Sequence, residues 1–162
     1  MIFDTHIHTK FSSDCKMELA PAIDKAKELN IGLIITDHMD LNYPEKDKFH
    51  FDVADFFNTY GPHRNDALLL GIELGMDIDH KEENKKLAES YPFDEIIGSQ
   101  HFVHKFNMYD PKVYEELSKK EIYIEYLLDA IASIKTHNYI DTFGHIDYIC
   151  RYCTYEDREL HY

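Results

Sequence analysis

The sequence contains few of the residues that separate domains or cross-link them. Its 162 residues include only six glycines, five prolines and three cysteines. Linkers between domains are rich in glycine and proline, so their scarcity and the lack of an internal repeat predict a single domain over residues 1–162. The cysteines (Cys15, Cys150 and Cys153) are odd in number, which argues against a disulfide framework. The Cys150-x-x-Cys153 pair lacks the second pair of a zinc ribbon, so we expect reduced thiols.

Basic residues are also in the minority. Lysine and arginine number 17 against 31 aspartates and glutamates, which gives a formal net charge of −14. This charge repels a phosphate backbone, so no nucleic-acid partner is expected. A small anionic substrate would need a local cationic centre, and metal ions are the strongest local charges available to a protein.

Long apolar runs are missing as well. No segment approaches the length that spans a bilayer, and the first residues lack a basic region followed by an apolar stretch. We therefore expect a cytoplasmic protein without a membrane partner.

Short apolar segments alternate with helical patterns. Continuous apolar runs such as Leu33-Ile34-Ile35 are typical of strands covered on both faces. One helix is predicted from Leu19 to Leu29, with Gly32 as its terminator. A later helix is expected to bury Ile124, Leu127, Leu128, Ile131 and Ile134. Strands are predicted at residues 2–6, 33–36, 68–73, 95–98 and 139–144, and a long loop at 39–65. This alternation predicts a parallel α/β fold, open or closed into a barrel.

Histidines and one glutamate follow these predicted strands closely. Five such groups lie at or just past strand ends: His6, His38, Glu73, His101 and His145. The carboxyl ends of parallel strands meet at one edge of a sheet, so a shared metal site explains the pattern better than five independent structural residues. In addition, His8 lies on the same face of the extended chain as His6, because side chains alternate along a strand.

Other residues are assigned by their position near this edge. Asp14 lies in a turn that can fold back towards it, although a turn or helix-capping role explains Asp14 equally well. The guanidinium of Arg151 suits two phosphate oxygens, and a surface ion pair is the alternative. The neighbouring aspartates are expected to orient the imidazoles: Asp4, Asp37 and Asp147. The other histidines are expected on the surface, with His104 left open: His50, His63, His80, His137 and His161.

These segments resemble, in order, the motifs of histidinol phosphatases of the polymerase-and-histidinol-phosphatase (PHP) superfamily. The matching segments are 4–9, 36–38, 71–73, 98–103 and 144–147, and the resemblance extends to about Tyr152. It implies a parallel-stranded, distorted (βα)7 TIM-like barrel with three divalent metal ions, which are zinc, manganese or iron. It also assigns ligands: His6, His8 and Glu73 to one ion, Glu73, His101 and His145 to a second, and Asp14 and His38 to a third. Glu73, His101 and Arg151 would be catalytic, with Arg151 on the substrate phosphate.

One motif of that family has no counterpart, because no Asp-x-His follows His145. A barrel of this type needs roughly 200 residues, so we expect the N-terminal portion of a PHP domain, incomplete at its C-terminus. The implied reaction is hydrolysis of a small phosphorylated substrate, L-histidinol phosphate, in histidine biosynthesis. The alternatives are another PHP phosphoesterase, acting on phosphotyrosine or nucleotides, and a non-catalytic metal-binding fragment. The sequence does not indicate an oligomeric state.

Overall fold

The computed structural model describes residues 1–45 and 48–160, which form seven short strands and five α-helices. The strands are β1 (Phe3–Ile7), β2 (Gly32–Ile35), β3 (His38–Met39), β4 (Leu68–Leu70), β5 (Ile72–Gly75), β6 (Ile96–Ser99) and β7 (Thr142–Phe143). The helices are α1 (Leu19–Leu29), α2 (Val53–Tyr60), α3 (Lys81–Ser90), α4 (Val113–Glu116) and α5 (Lys119–Thr136). Short 3₁₀ helices occur at Gly61–His63, Ile78–His80 and Tyr148–Arg151.

All strand pairs between these elements are parallel. The strands form one sheet in the order β1-β2-β4 and another in the order β3-β5-β6-β7. The two sheets are continuous in the chain, because β3 follows β2 closely and β5 follows β4. Hydrogen bonds from the Gly71 amide to Ile35 O (2.7 Å) and from the Glu73 amide to Asp37 O (3.1 Å) cross the break. The predicted parallel α/β fold is confirmed. In the described part of the chain, β1 and β7 each pair on one side only.

The predicted strand at 68–73 is interrupted at Gly71, where the chain passes from one sheet to the other. A β-carbon at Gly71 would lie 2.6 Å from the carbonyl oxygen of Glu95. The apolar run conceals this break because residues on both sides of it are equally buried. The close approach of a neighbouring backbone therefore requires glycine at this point.

Helix α1 has the predicted bounds, but its predicted terminator is wrong. Asn30 takes the left-handed conformation (φ 56°) and its amide hydrogen-bonds to the carbonyl oxygens of the last turn. Asparagine tolerates this conformation better than other residues with a β-carbon. Gly32 instead starts β2, where a β-carbon would lie 2.3 Å from the ring of Phe3.

The predicted loop at 39–65 is also wrong, because it contains the last residue of β3 and all of helix α2. Asp52 caps this helix by accepting a hydrogen bond from the Asp55 amide (3.1 Å). The buried face carries Val53, Phe56 and Tyr60, which are three and four residues apart. The apolar spacing typical of a buried helix face covers only these two turns. Polar residues on both sides obscure this spacing in the sequence.

Helix α5 forms as predicted, with a capping box between Ser118 and Glu121. Its buried face is not the predicted one: the buried residues are Ile122, Tyr123, Tyr126, Ala130 and Ser133, whereas Ile124, Leu128, Ile131 and Ile134 are exposed. The helix is apolar on two sides, and its tyrosines pack in the cluster that contains Met108 and Ile149. In residues 1–45 and 48–160, no helix is long and apolar enough to cross a membrane.

One of the expected surface histidines lies in the interior. His137 follows α5, and only 1% of it is exposed. Its Nδ1 lies 2.8 Å from Ser133 O and its Nε2 3.2 Å from Asp77 O. The expectation for His161 falls outside the described residues.

The left-handed conformation of Asn30 leads to a stability prediction. Asn30→Ala should lower the free energy of unfolding by about 1 kcal/mol, because a β-carbon without a compensating polar group is disfavoured in this conformation. Asn30→Gly should not lower it, because glycine has no β-carbon. Urea denaturation of both variants measures the difference, with Asp24→Ala on the exposed face of α1 as the control. Equal stability of the alanine and glycine variants would contradict the assignment.

Candidate metal centre

A single buried carboxylate occupies the middle of the candidate site. Glu73 lies on β5, and its side chain is fully buried. Its Oε2 faces three imidazoles: Nε2 of His6 lies at 3.0 Å, Nε2 of His8 at 3.5 Å and Nδ1 of His38 at 2.9 Å. One oxygen of this carboxylate is therefore shared among three histidines from β1, the segment that follows it, and β3.

The other carboxylate oxygen faces a second group. Oε1 of Glu73 lies 2.9 Å from Nε2 of His145 and 3.3 Å from Nε2 of His101. The hydroxyl of Ser99 donates a hydrogen bond to the same oxygen at 2.6 Å. The two oxygens of Glu73 thus face different sets of ligand atoms, as a carboxylate that bridges two cations does.

The strand register explains why these side chains meet. In the parallel pairing of β3 with β5, His38 lies directly beside Glu73. His6 and His8 lie on the same face of the extended chain, and His101 follows β6 in the same way that His145 follows β7. The structure thus brings together all the strand-end groups that the sequence singled out.

Three combinations of these residues could hold a divalent cation, since their ligand atoms lie within 4.8 Å of one another. They are His6 with Glu73 and His145, His8 with His38 and Glu73, and His38 with Asp40 and His101. This grouping differs from the one that the resemblance implied, because His145 lies with His6 and because Asp40 joins His38.

Asp14 is half exposed, and its Oδ2 lies 3.7 Å from Nε2 of His38. The assignment of ligands to individual ions stays a prediction.

Several ligand atoms in this cluster are buried without a hydrogen-bond partner among the described residues. Nδ1 of His8 and Nδ1 of His145 are on the ring sides turned away from Glu73, whereas Oε2 of Glu73, Nδ1 of His38 and Nε2 of His101 lie together. Buried polar atoms nearly always have a partner, so their concentration at one point indicates a missing one. Imidazole nitrogens and carboxylate oxygens are ligands of zinc and similar divalent cations. The residues therefore fit a metal ion.

Proton equilibria in the cluster follow from the same contacts. Burial alone would raise the pKa of Glu73, but the adjacent imidazoles, first that of His101 at 3.3 Å, hold this pKa well below its usual range. Burial also lowers the pKa of His101, yet the charges of Asp40 and Glu73 raise this pKa to about 10. The close contact with Glu73 raises the pKa of His6, whereas burial lowers the pKa of His8. The cluster therefore gathers positive charge around ionised carboxylates.

The aspartates expected to orient the imidazoles do not do so in the described structure. Asp37 instead accepts hydrogen bonds from the backbone and hydroxyls of Thr9 and Ser12, at 2.6 to 3.1 Å, and holds the loop that follows β1. Asp40, by contrast, contacts an imidazole, because its Oδ1 lies 2.7 Å from Nδ1 of His101. The sequence did carry a signal for it: Asp40 follows His38 by two residues, the same spacing as His6 and His8.

A cleft with a volume of about 710 Å³ opens above Glu73 and includes Arg151 and Asp147 in its lining. Arg151 ends the last 3₁₀ helix, and its side chain is exposed. Within residues 1–45 and 48–160, no carboxylate lies at ion-pair distance from Arg151, so the alternative of a surface ion pair is not observed. Its contact with a phosphate stays a prediction.

A second cavity of about 700 Å³ adjoins this cleft. The walls common to both are aromatic: Tyr43, Phe49, Phe102, Tyr109, Tyr148 and Tyr152. His104, which the sequence left open, lines the second cavity, and its Nδ1 lies 3.2 Å from Oδ1 of Asp129. The polar cluster around Glu73 is therefore bordered by an apolar space of the size of a small ligand.

Comparisons with known proteins agree with this geometry. The PHP domain family profile matches residues 4–161. A probable histidinol-phosphatase of Clostridium acetobutylicum is 44% identical over 162 residues, which are 100% of this chain and 64% of that protein. A histidinol-phosphatase of Lactococcus lactis subsp. lactis is 29% identical over 166 residues, which cover 97% of this chain and 61% of that protein.

A solved structure is also similar. It is the crystal structure of histidinol phosphate phosphatase from Lactococcus lactis subsp. lactis, complexed with zinc, L-histidinol and phosphate. The TM-score is 0.85 at 28% identity, over 97% of this chain and 62% of that one. The chain thus spans less than two thirds of the length of these relatives.

The shared position of Glu73 leads to a prediction about metal content. Glu73→Gln should lose more zinc than His38→Ala, because the amide removes negative charge from both groups of ligands, whereas the alanine removes one neutral ligand. Each purified variant is equilibrated with zinc, dialysed and subjected to metal analysis. Glu89→Gln, an exposed change on α3, is the control and should retain the zinc of the unaltered chain. Equal losses from the two site variants would show that Glu73 is an ordinary ligand.

Proposed function

The chain belongs to the PHP domain family, and from this premise we propose that it contributes the Glu73 centre to a metal-dependent phosphomonoesterase acting on L-histidinol phosphate. The observation that carries the proposal is the buried carboxylate shared by five imidazoles, with unpartnered ligand atoms, below an open cleft. The proposed substrate is supported by the relatives named histidinol-phosphatase and by the similar structure that holds L-histidinol and phosphate.

We assign the metal ligands as the sequence predicts them: His6, His8, Asp14, His38, Glu73, His101 and His145. Divalent cations bound there, which we propose to be three and to be zinc, manganese or iron, would supply Lewis-acid catalysis and a nucleophile active at neutral pH. Glu73 would stay ionised, because the surrounding imidazoles hold its pKa low. A carboxylate in this state binds positive charge on both of its oxygens.

Binding of the phosphate group is the proposed role of Arg151. Its planar guanidinium can donate two parallel hydrogen bonds to non-bridging phosphate oxygens. These bonds would orient the phosphorus over the Glu73 cluster and offset the charge that develops in the transition state. With a formal charge of −14 on the chain, the local cations of the cleft are needed to attract an anion at all.

The aromatic cavity beside the cleft supports a leaving group with a flat ring. Tyr43, Phe102 and Tyr109 lie at the junction of the two spaces, and aromatic faces stack on planar rings such as imidazole. Its volume leaves room for the rest of a small amino alcohol. A nucleotide or a phosphotyrosine side chain would also meet aromatic walls, so these substrates are the ones to compare.

A closed barrel is part of the proposal and needs more strands than are described, because β3 continues β2 and β5 continues β4, so that the seven described segments fill only five positions. β1 and β7 each pair on one side in the described chain, and a (βα)7 barrel would pair both of them further. The family's late Asp-x-His motif would add one ligand to the first ion and one to the third. The 162 residues contain no such motif after His145.

A substrate comparison tests the proposed activity. We expect the zinc-loaded or manganese-loaded chain to hydrolyse histidinol phosphate faster than phosphotyrosine or nucleoside monophosphates, but slowly. Adding a C-terminal segment that bears a strand-end Asp-x-His should raise the rate strongly, because it completes two metal coordination shells. Phosphate release by both forms is the measurement. Metal binding without turnover in either form would favour the non-catalytic alternative, and equal rates would show that the motif is dispensable.

The role of Arg151 has a separate test. Arg151→Ala should lower kcat/KM for histidinol phosphate by about 10- to 100-fold, the equivalent of one or two charged hydrogen bonds to phosphate. Its zinc content should not change, because Arg151 holds no metal. Arg158→Ala is the control, since Arg158 lies outside the lining of the cleft. An unchanged kcat/KM in Arg151→Ala would remove Arg151 from the site.

A further inference from the structure

Asp40 is the buried acid closest to the histidine cluster that has no assigned role. It is 2% exposed, and its Oδ1 lies 2.7 Å from Nδ1 of His101, which is 4% exposed. Its other oxygen lies 3.9 Å from Nδ1 of His38. Among the described carboxylates, Asp40 is therefore the one that contacts the outer nitrogen of His101, while Glu73 faces the inner one.

The room for this carboxylate comes from a missing side chain. In the pairing of β3 with β5, His38 lies beside Glu73 and Met39 beside Leu74, so Asp40 comes next to Gly75. A β-carbon at Gly75 would lie 1.9 Å from Oδ1 of Asp40 and 2.8 Å from its Cγ. Gly75 does not have a positive φ. Its backbone conformation therefore suits any residue, and space for Asp40 is what requires glycine.

We propose that Asp40 is a positioning residue of the Glu73 centre: by accepting a hydrogen bond from Nδ1–H of His101 it directs the Nε2 lone pair of that ring towards Glu73, and Gly75 makes room for it. A neutral imidazole carries one N–H, so an acceptor at Nδ1 leaves Nε2 free as a ligand. Nε2 of His101 is buried, lies 3.3 Å from Oε1 of Glu73 and has no hydrogen-bond partner among the described residues. The inference rests on the proposed function in one respect, that the Glu73 cluster binds metal.

A direct ligand role for Asp40 fits the contacts less well. Its Oδ1 is engaged by the nitrogen of His101 that points away from Glu73, and a carboxylate bound to that N–H holds the ring in place rather than the cation. Removal of such outer acceptors weakens metal binding by about 10- to 100-fold in known sites. The magnitude is large enough to measure by zinc titration.

The first experiment measures zinc affinity in a matched series. Asp40→Ala should weaken zinc binding by about 10- to 100-fold, and Asp40→Asn by less, because the amide oxygen is a neutral acceptor in the same place. Gly75→Ala should weaken binding as Asp40→Ala does, although it removes no polar group, because the new methyl displaces the carboxylate. Gly61→Ala is the control: a β-carbon there meets nothing within 4 Å, so zinc affinity should not change.

The second experiment locates the proton and needs no turnover. In the zinc-loaded chain with 15N-labelled histidine, NMR should show His101 protonated at Nδ1 and unprotonated at Nε2, with His101→Gln identifying its signals. A proton on Nε2 would overturn the proposal, as would an unchanged zinc affinity in Asp40→Ala. If Gly75→Ala does not fold, the zinc affinities of the two Asp40 variants and the position of the His101 proton still test the proposal. If the Asp40 variants lose thermal stability but keep their zinc affinity, Asp40 has a structural role only. This result would also overturn the proposal.

These outcomes are separable from those of the proposed function. Zinc affinity and the position of the His101 proton are measured without substrate, so a failed phosphatase assay leaves them unaffected. Conversely, active enzyme with a proton on Nε2 of His101 would refute the role of Asp40 alone.

Discussion

The burial of one charged carboxylate is the constraint on which the rest of this structure depends. An ionised group removed from water is strongly destabilising unless opposite charges and hydrogen bonds surround it. Glu73 is fully buried, and five imidazoles and the Ser99 hydroxyl supply those contacts. Protons or divalent cations can carry the compensating positive charge. The cluster that makes the buried glutamate tolerable is therefore the same one that we propose to bind metal.

The parallel sheet is what allows so many side chains to reach one carboxylate. Each strand delivers its last residues to the same edge, and the loops that follow contribute the remaining contacts. The chain supports this edge with buried networks, such as Asp37 with Thr9 and Ser12. Tyr60 on α2 extends that network through a hydrogen bond to Thr9 at 3.0 Å. Ser12 links this network to the site, because its hydroxyl oxygen accepts a hydrogen bond from the amide of His38 at 2.9 Å.

Much of the fold and the site could be predicted from the sequence because both follow from local patterns. Strand-end histidines are visible as single residues after apolar runs, and parallel pairing alone brings them together. The face of α5 could not be predicted in this way, because the helix is apolar on two sides and its tyrosines form the buried one. Helix α2 was missed because its pattern covers only two turns. The break at Gly71 depends on the backbone of Glu95, which is distant in sequence.

The glycines near the strands also carry sequence information about the packing and the site. Five of the six glycines stand where a β-carbon would meet another group closer than 3 Å: Gly32 against Phe3, Gly71 against Glu95, Gly75 against Asp40, Gly98 against Ile140 and Met76, and Gly144 against Ser99. The first two contacts are with a ring and a backbone, so they belong to packing. The third is with a charged group one hydrogen bond away from a predicted ligand. A glycine next to a strand-end motif thus identifies the acid that needs its space, although only the strand register reveals which acid that is.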